Sequence, residues 1–214
     1  MFKYFFTLCV LLFTIALYPQ QSKLSKGVNF ISSYIASPHY IEMSKRMNDL
    51  SLMDSIFITA VKFYDDNYED ALIALTFAAV PYNRVPIKIP LLGIINYPLT
   101  SANDSIFLLK NKNLPKYLFF DSPTDEYGDK DKPAHFFGSA FIAYSSHIFD
   151  LGDLIGYFVE VFEESFKVQS RIDARDLMTN KFGNIFGEAL KSDKTVLPSN
   201  VLILQILSYF RYQL

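Results

Sequence analysis

The stretch VPYNRVPIKIPLLGIINYPL, residues 80 to 99, constrains the fold more than any other part of the sequence. It contains Pro81, Pro86, Pro90 and Pro98 within twenty residues. Prolines at this density exclude a regular helix and a central strand, because each one fixes φ and removes a backbone donor. The stretch is therefore predicted to be extended, with an edge strand or a short helix interrupted by a turn. Its other side chains are mostly apolar, so we expect a surface to hide them, and the protein core is favoured over a membrane.

The sequence favours helices on both sides of this stretch. Asn67 is followed by two acids and an apolar body, which predicts a capped helix that ends near Pro81. The segment SANDSIFLLKNKN predicts a short capped helix, and a modest helix is expected near residues 40 to 50. Further helices are predicted at 134–149, 153–167, 173–190 and 199–212. The predicted fold class is mainly α, a compact bundle of short apolar helices with a proline-rich extended segment, in one domain over residues 22–214.

The N-terminal segment MFKYFFTLCVLLFTIALYPQQS predicts the cellular location of the protein. Lys3 precedes an apolar run from Tyr4 to Leu17, and Pro19 and polar residues follow. This pattern is typical of a secretory signal peptide in residues 1–21, with an uncleaved anchor as the main alternative. Cys9 is the only cysteine and lies inside the run, so a processed chain would have no thiol. A cysteine-free exported chain indicates the periplasm or a membrane-associated location in a bacterial cell envelope.

The composition narrows the class of partner. The formal net charge is −2, so no basic field favours nucleic acid. Half of the residues are hydrophobic and 16% are aromatic, which suits a large core or a surface that faces a membrane. We therefore expect membrane or envelope components as partners and no nucleic acid.

A cluster of acids and bases at residues 127–147, YGDKDKPAHFFGSAFIAYSSH, is the first candidate site. Pro133 suits the first turn of a helix, so Asp131 and Lys132 should lie at its N-terminus and His135 in its first turn. The exposed N–H groups there favour anions and disfavour a protonated imidazole. Lys132 and His135 are predicted to join a network with nearby acids.

Two later helices offer the acids. Glu160 stands among apolar residues, where an ionised carboxylate is costly unless it is paired, and Glu163 follows on the same side. In the next helix five residues follow one another at steps of three and four and therefore share one face: Asp173, Asp176, Asn180, Gly183 and Gly187. The side chains on this face are polar near the start of the helix, and glycines occupy it near the end. Capping of that helix is an alternative role for Asp173 and Asp176.

These residues resemble a known pattern. The order D-K-x-x-H-F, then E-x-x-E, then D-x-x-D-L-x-x-N-x-x-G-x-x-x-G is similar to that of the YfiM-like and VanZ-like small bacterial envelope proteins. It covers about residues 129 to 190 of this chain. The resemblance implies helical, membrane-associated proteins of poorly defined activity, and the YfiM-like proteins are the closer analogy.

Three functions compete on this basis. The first is a non-enzymatic envelope protein in which the polar residues form a buried structural network. The second is an envelope hydrolase or metal-dependent enzyme acting on a lipid-linked or cell-wall substrate, with His135, Glu160 and Lys132 as candidate catalytic residues. The third is a ligand-binding module with the same pocket and no chemistry. No cofactor is predicted, although one histidine with several carboxylates could hold a hard divalent metal.

Overall fold

Side-chain caps begin five of the helices. The capping oxygens of Ser22, Ser37, Asn48, Asn67 and Asn103 accept hydrogen bonds from the backbone N–H groups three residues further on. Each cap satisfies a donor that the first turn of a helix leaves unpaired. The computed structural model describes residues 21–89, 93–145 and 174–211.

Within these ranges the fold is mainly α, as predicted, with eight helices and a single hairpin. The helices are α1 (Lys23–Ile35), α2 (Pro38–Ser44), α3 (Asp49–Phe63), α4 (Tyr68–Ala79), α5 (Asp104–Asn113), α6 (Lys132–Ser145), α7 (Ala174–Ser192) and α8 (Pro198–Arg211). The strands are β1 (Arg84–Ile89) and β2 (Gly93–Pro98). No helix in the described part of the chain has both the length and the apolar character needed to cross a membrane.

Most of the predicted helices are present. Helix α4 begins directly after the predicted cap, α5 lies in the segment predicted as a short capped helix, and α6, α7 and α8 follow the predicted ranges wherever the structure describes them. The prediction of one helix near residues 40 to 50 was wrong, because α2 ends at Ser44 and α3 begins at Asp49 behind its own cap. Helix α1 was not predicted. The predicted helix at 153–167 and the N-terminal segment at residues 1–20 lie outside the described residues.

Helix α4 forms the centre of the bundle. All of its residues from Ala71 to Ala79 are buried, and it packs against α1, α3 and α6. A helix that is apolar on every side must be surrounded in this way. The ring of Phe186 on α7 extends this core, since it lies 5.1 Å from Phe57 on α3 and 5.2 Å from Phe136 on α6.

Among the helices that the structure describes, α6 and α7 form the most extensive pair, and they run parallel to each other. Asp176 meets Lys132 near the start of both helices. Further along both helices, Gly183 of α7 lies against the backbone of Phe136 on α6. One turn beyond that contact, Gly187 lies against the backbone of Ala140. Since the contacts advance in the same direction on both helices, the two helices are parallel, and their N-termini bring the polar residues together.

The proline-rich stretch contains the hairpin. Strands β1 and β2 pair antiparallel, with Val85 opposite Tyr97 and Lys88 opposite Ile94. The expectation that the core hides this stretch was wrong for β2, because all six of its residues are exposed. Val85, near the base of the hairpin, is buried. The hairpin thus leaves the bundle at its base and presents β2 to solvent.

Candidate functional site

The site begins where the chain enters α6. The backbone carbonyl of Asp131 accepts hydrogen bonds from the N–H groups of Ala134 at 3.1 Å and His135 at 3.3 Å. Pro133 lies in the first turn, where its missing N–H costs no helical hydrogen bond. This local geometry places Asp131, Lys132 and His135 around one helix N-terminus, as the sequence predicts.

Lys132 lies between two carboxylates. Its ammonium is 3.0 Å from Oδ2 of Asp131 and 2.6 Å from Oδ1 of Asp176 on α7. Only 3% of the Lys132 side chain is exposed, so the charge depends on these partners for its stability. Burial alone would lower the pKa of Lys132, but the hydrogen bond to Asp176 and the charge of Asp131 together raise it. The lysine is therefore a permanent cation in the site.

His135 is buried in its neutral form. Its Nδ1 lies 3.1 Å from Oδ1 of Asn180, and its Nε2 lies 3.6 Å from Oδ1 of Asp176. Burial lowers the pKa of His135 and outweighs the opposing charges of Asp176 and Asp131. A neutral ring can donate from Nδ1 to the Asn180 amide oxygen, while Nε2 faces the Asp176 carboxylate at a distance too long for a hydrogen bond.

Two glycines allow α7 to lie close enough for these contacts. A Cβ atom on Gly183 would lie 2.3 Å from the backbone oxygen of Phe136, and one on Gly187 would lie 2.4 Å from that of Ala140. No larger residue fits at either position without moving a helix backbone. The predicted face of Asp176, Asn180, Gly183 and Gly187 is therefore the face that α7 packs against α6.

A second ion pair, between Asp129 and Arg175, lies beside the cluster. Nη1 of Arg175 is 2.8 Å from Oδ1 of the fully buried Asp129. The other carboxylate oxygen accepts hydrogen bonds from Ser122 Oγ and, at 3.3 Å, from the backbone N–H of Leu118. Burial raises the pKa of Asp129, although these partners oppose the shift. Sequence reasoning did not single out Arg175, and its only signal is its position next to Asp176.

Three of the residues could hold a metal ion. One ligand atom each from Asp131, His135 and Asp176 can be chosen so that all three lie within 4.8 Å of one another. One imidazole nitrogen with two carboxylate oxygens suits a divalent cation such as Mn²⁺ or Zn²⁺. However, the ammonium of Lys132 already pairs with both carboxylates, so a metal that used the same oxygens would have to displace it.

The remaining predicted site residues cannot be placed. Glu160, Glu163 and Asp173 lie outside the described residues, as does Cys9. The structure brings together Asp131, Lys132, His135, Asp176 and Asn180. Comparison of the chain with family models, curated proteins and solved structures finds no match.

Proposed function

We propose that this chain is an exported, membrane-associated protein of the bacterial cell envelope, in which the polar cluster fixes how α6 packs on α7. The observation that carries the role of the cluster is the burial of Lys132 between Asp131, its neighbour in the chain, and Asp176 on α7. A buried ammonium with two fixed partners strongly disfavours any packing that removes one of them. The resemblance to YfiM-like proteins and the signal-like N-terminus support the location.

The hydrogen bond between His135 and Asn180 supports the same role. It joins α6 to α7 a turn beyond the lysine, and both partners face the helix interface. Buried polar pairs of this kind contribute specificity when an apolar interface alone would permit several registers. The cluster thus acts as a structural network that requires no substrate.

A double-mutant cycle on Lys132 and Asp176 tests this role. Lys132→Met and Asp176→Asn should each lower the free energy of unfolding by about 3 kcal/mol, because each leaves a buried charge with fewer partners. The double variant should lose less than the sum of the two. Lys181→Met, at an exposed lysine on α7, is the matched control and should change little. Two neutral single variants would contradict a structural network.

The location has its own test. Expression of the full chain in a Gram-negative bacterium, followed by cell fractionation and mass spectrometry of the N-terminus, should recover the protein in the envelope. A product shortened by about twenty residues would identify a cleaved signal peptide, and an intact N-terminus in the membrane fraction would identify an anchor. Recovery in the cytoplasm would refute the proposed location and leave the role of the cluster open.

The second candidate is a divalent-metal enzyme, such as an envelope hydrolase, and the grouping of Asp131, His135 and Asp176 favours it. Such a metal would supply Lewis acidity, and Lys132 would then steady an anionic group. Elemental analysis of protein purified without chelator, beside His135→Ala and Asp176→Asn, tests this candidate. A near-stoichiometric metal that both variants lose would favour the enzyme, whereas a metal-free and fully folded protein would favour the structural network.

A further inference from the structure

A cavity of about 440 Å³ opens to solvent where the end of α5 meets the start of α3. Its lining comes from the end of α2, the link to α3, the first turn of α3 and the stretch 112–117. Cavities of about 300 to 1,000 Å³ are the size that small molecules occupy. The lining residues all lie outside the polar cluster of α6 and α7, so the cavity is a separate feature of the fold.

Hydrogen bonds hold the walls of this cavity in place. Oδ2 of Asp49 accepts hydrogen bonds from the backbone N–H groups of Lys116 at 2.8 Å and Tyr117 at 2.6 Å. The side-chain amide of Asn113 donates a hydrogen bond to the carbonyl oxygen of Ile35, at the end of α1, at 3.0 Å. These bonds fix the stretch after α5 against α3 and α1. The cavity is therefore formed before any ligand enters, and binding does not have to order its walls.

Part of the lining is apolar. Leu52 and Leu114 are buried and form the floor of the cavity. Met47 and Tyr117 also line it, and they are 38% and 48% exposed. An apolar group in the cavity would cover the exposed parts of both side chains, and removal of apolar surface from water favours binding.

The charged part of the lining favours an anion. Among the residues that the structure describes, neither Lys112 nor Lys116 has a carboxylate partner. Nζ of Lys116 lies 5.1 Å from the centre of the Tyr117 ring, so one ammonium stands beside the apolar part of the lining. The acid of the lining, Asp49, already accepts two backbone hydrogen bonds. Two lysines and one acid give this lining a net charge of +1, in a chain whose net charge is −2.

We propose that this cavity binds a small organic anion, with its acidic group between Lys112 and Lys116 and its apolar body on Leu52 and Leu114. A ligand of about twelve non-hydrogen atoms should bind with a dissociation constant of about 1 mM, at the efficiency typical of small ligands. The two ammonium groups are near solvent, so each contributes modestly and together they select the sign of the charge. The inference goes beyond the proposed function and uses none of the residues on which that function rests.

The test uses three probes, phenylbutyrate, phenylbutanol and phenylbutylamine, which share one apolar body and carry a negative, a neutral and a positive end. The full chain is isotopically labelled at its methionine methyl groups and titrated by NMR spectroscopy. Met47 lines the cavity, whereas Met43, Met53 and Met178 lie outside its lining and serve as internal controls. We expect phenylbutyrate to shift the Met47 resonance saturably, phenylbutanol to bind about fivefold more weakly, and phenylbutylamine to bind more weakly still.

Substitutions locate the charged part of the site. Lys112→Gln and Lys116→Gln should each weaken the binding of phenylbutyrate by about threefold and leave that of phenylbutanol unchanged. Lys181→Gln is the matched control, because Lys181 is exposed on α7 and lies outside the lining. It changes the net charge of the chain by the same amount and should leave both affinities as they are.

Three results would overturn the inference. The first is a Met47 resonance that does not move with phenylbutyrate, or that moves only together with those of Met53 and Met178, which would indicate a general loosening of the fold. The second is equal affinity for phenylbutanol and phenylbutyrate. The third is an equal loss of affinity in Lys181→Gln, since the net charge and not the cavity would then attract the anion. In all three cases the results of the double-mutant cycle and of cell fractionation would still stand.

Discussion

Lys110 is a buried amine without a carboxylate partner among the described residues. Only 1% of the residue is exposed. Its Nζ donates a hydrogen bond to the carbonyl oxygen of Val80 and lies 4.7 Å from the centre of the Phe107 ring. Burial lowers the pKa of Lys110 from 10.5 to about 7. We predict that Lys110→Met stabilises the protein at low pH and destabilises it at high pH.

The sign follows from the proton balance. Between pH 7 and pH 10.5 the unfolded chain keeps the proton of Lys110 and the folded chain releases it, so stability rises with pH across this window. The difference between the two pKa values corresponds to about 5 kcal/mol at about 1.36 kcal/mol per pH unit. The folded protein carries this full penalty below pH 7 and none of it above pH 10.5.

The methionine variant removes the penalty and also removes a hydrogen bond. The buried carbonyl of Val80 then lacks the Lys110 donor, which costs about 1 to 2 kcal/mol. The variant should therefore be about 3 kcal/mol more stable than the natural chain near pH 6 and about 1 kcal/mol less stable near pH 10. The difference in stability should change sign between these two values.

Urea unfolding at a series of pH values measures this crossing. Lys112→Met is the matched control, because Lys112 is exposed in the same helix and its substitution should shift stability equally at every pH. The reasoning would be refuted by a Lys110→Met variant that is less stable than the natural chain at pH 6. That result would mean that the fold stabilises the ammonium and that burial does not lower the pKa of Lys110.

The other predictions concern helix packing and capping, and each is checked by urea or thermal unfolding. Gly187→Ala should destabilise the protein by about 2 kcal/mol, because the new Cβ would press on the backbone oxygen of Ala140; a stabilised variant, as at an open helical position, would contradict this close approach. Arg175→Met should cost about 3 kcal/mol, since it removes the cation that pairs with buried Asp129, and Arg175→Lys should restore part of the loss. Asn67→Ala should cost about 1 kcal/mol through loss of the α4 cap, whereas Asn67→Ser or Asn67→Asp should cost little.

Local rules predicted the elements that carry local signals. Asn67 and Asn103 identify two helix starts, because a capping side chain acts only on its own first turn. The spacing of Asp176 and Asn180 likewise places both on one face of α7, since four residues make about one turn. Such signals give the face of a helix but not the element that packs against it.

The features that sequence reasoning missed depend on distant parts of the chain. Asp129 meets Arg175 across 46 positions, and nothing near either residue marks the other as its partner. Lys110 appears in the sequence as one of several lysines near the end of a helix, and only the packing of α5 shows that it is buried. The exposure of the hairpin was also missed, because its apolar composition suits a core strand and an uncovered strand equally well.

The register of α6 and α7 shows why polar and small residues occur together on one helix face. If α7 slipped by one turn towards its N-terminus, Gly187 would replace Gly183 against α6, so one close contact would survive. Lys191 would then take the place of Gly187, and Asn180 would take the place of Asp176 opposite Lys132. The first change adds bulk where a backbone lies within contact distance, and the second leaves a buried ammonium with one carboxylate fewer. The glycines set the distance between the helices, and the charges select the register at which that distance is reached.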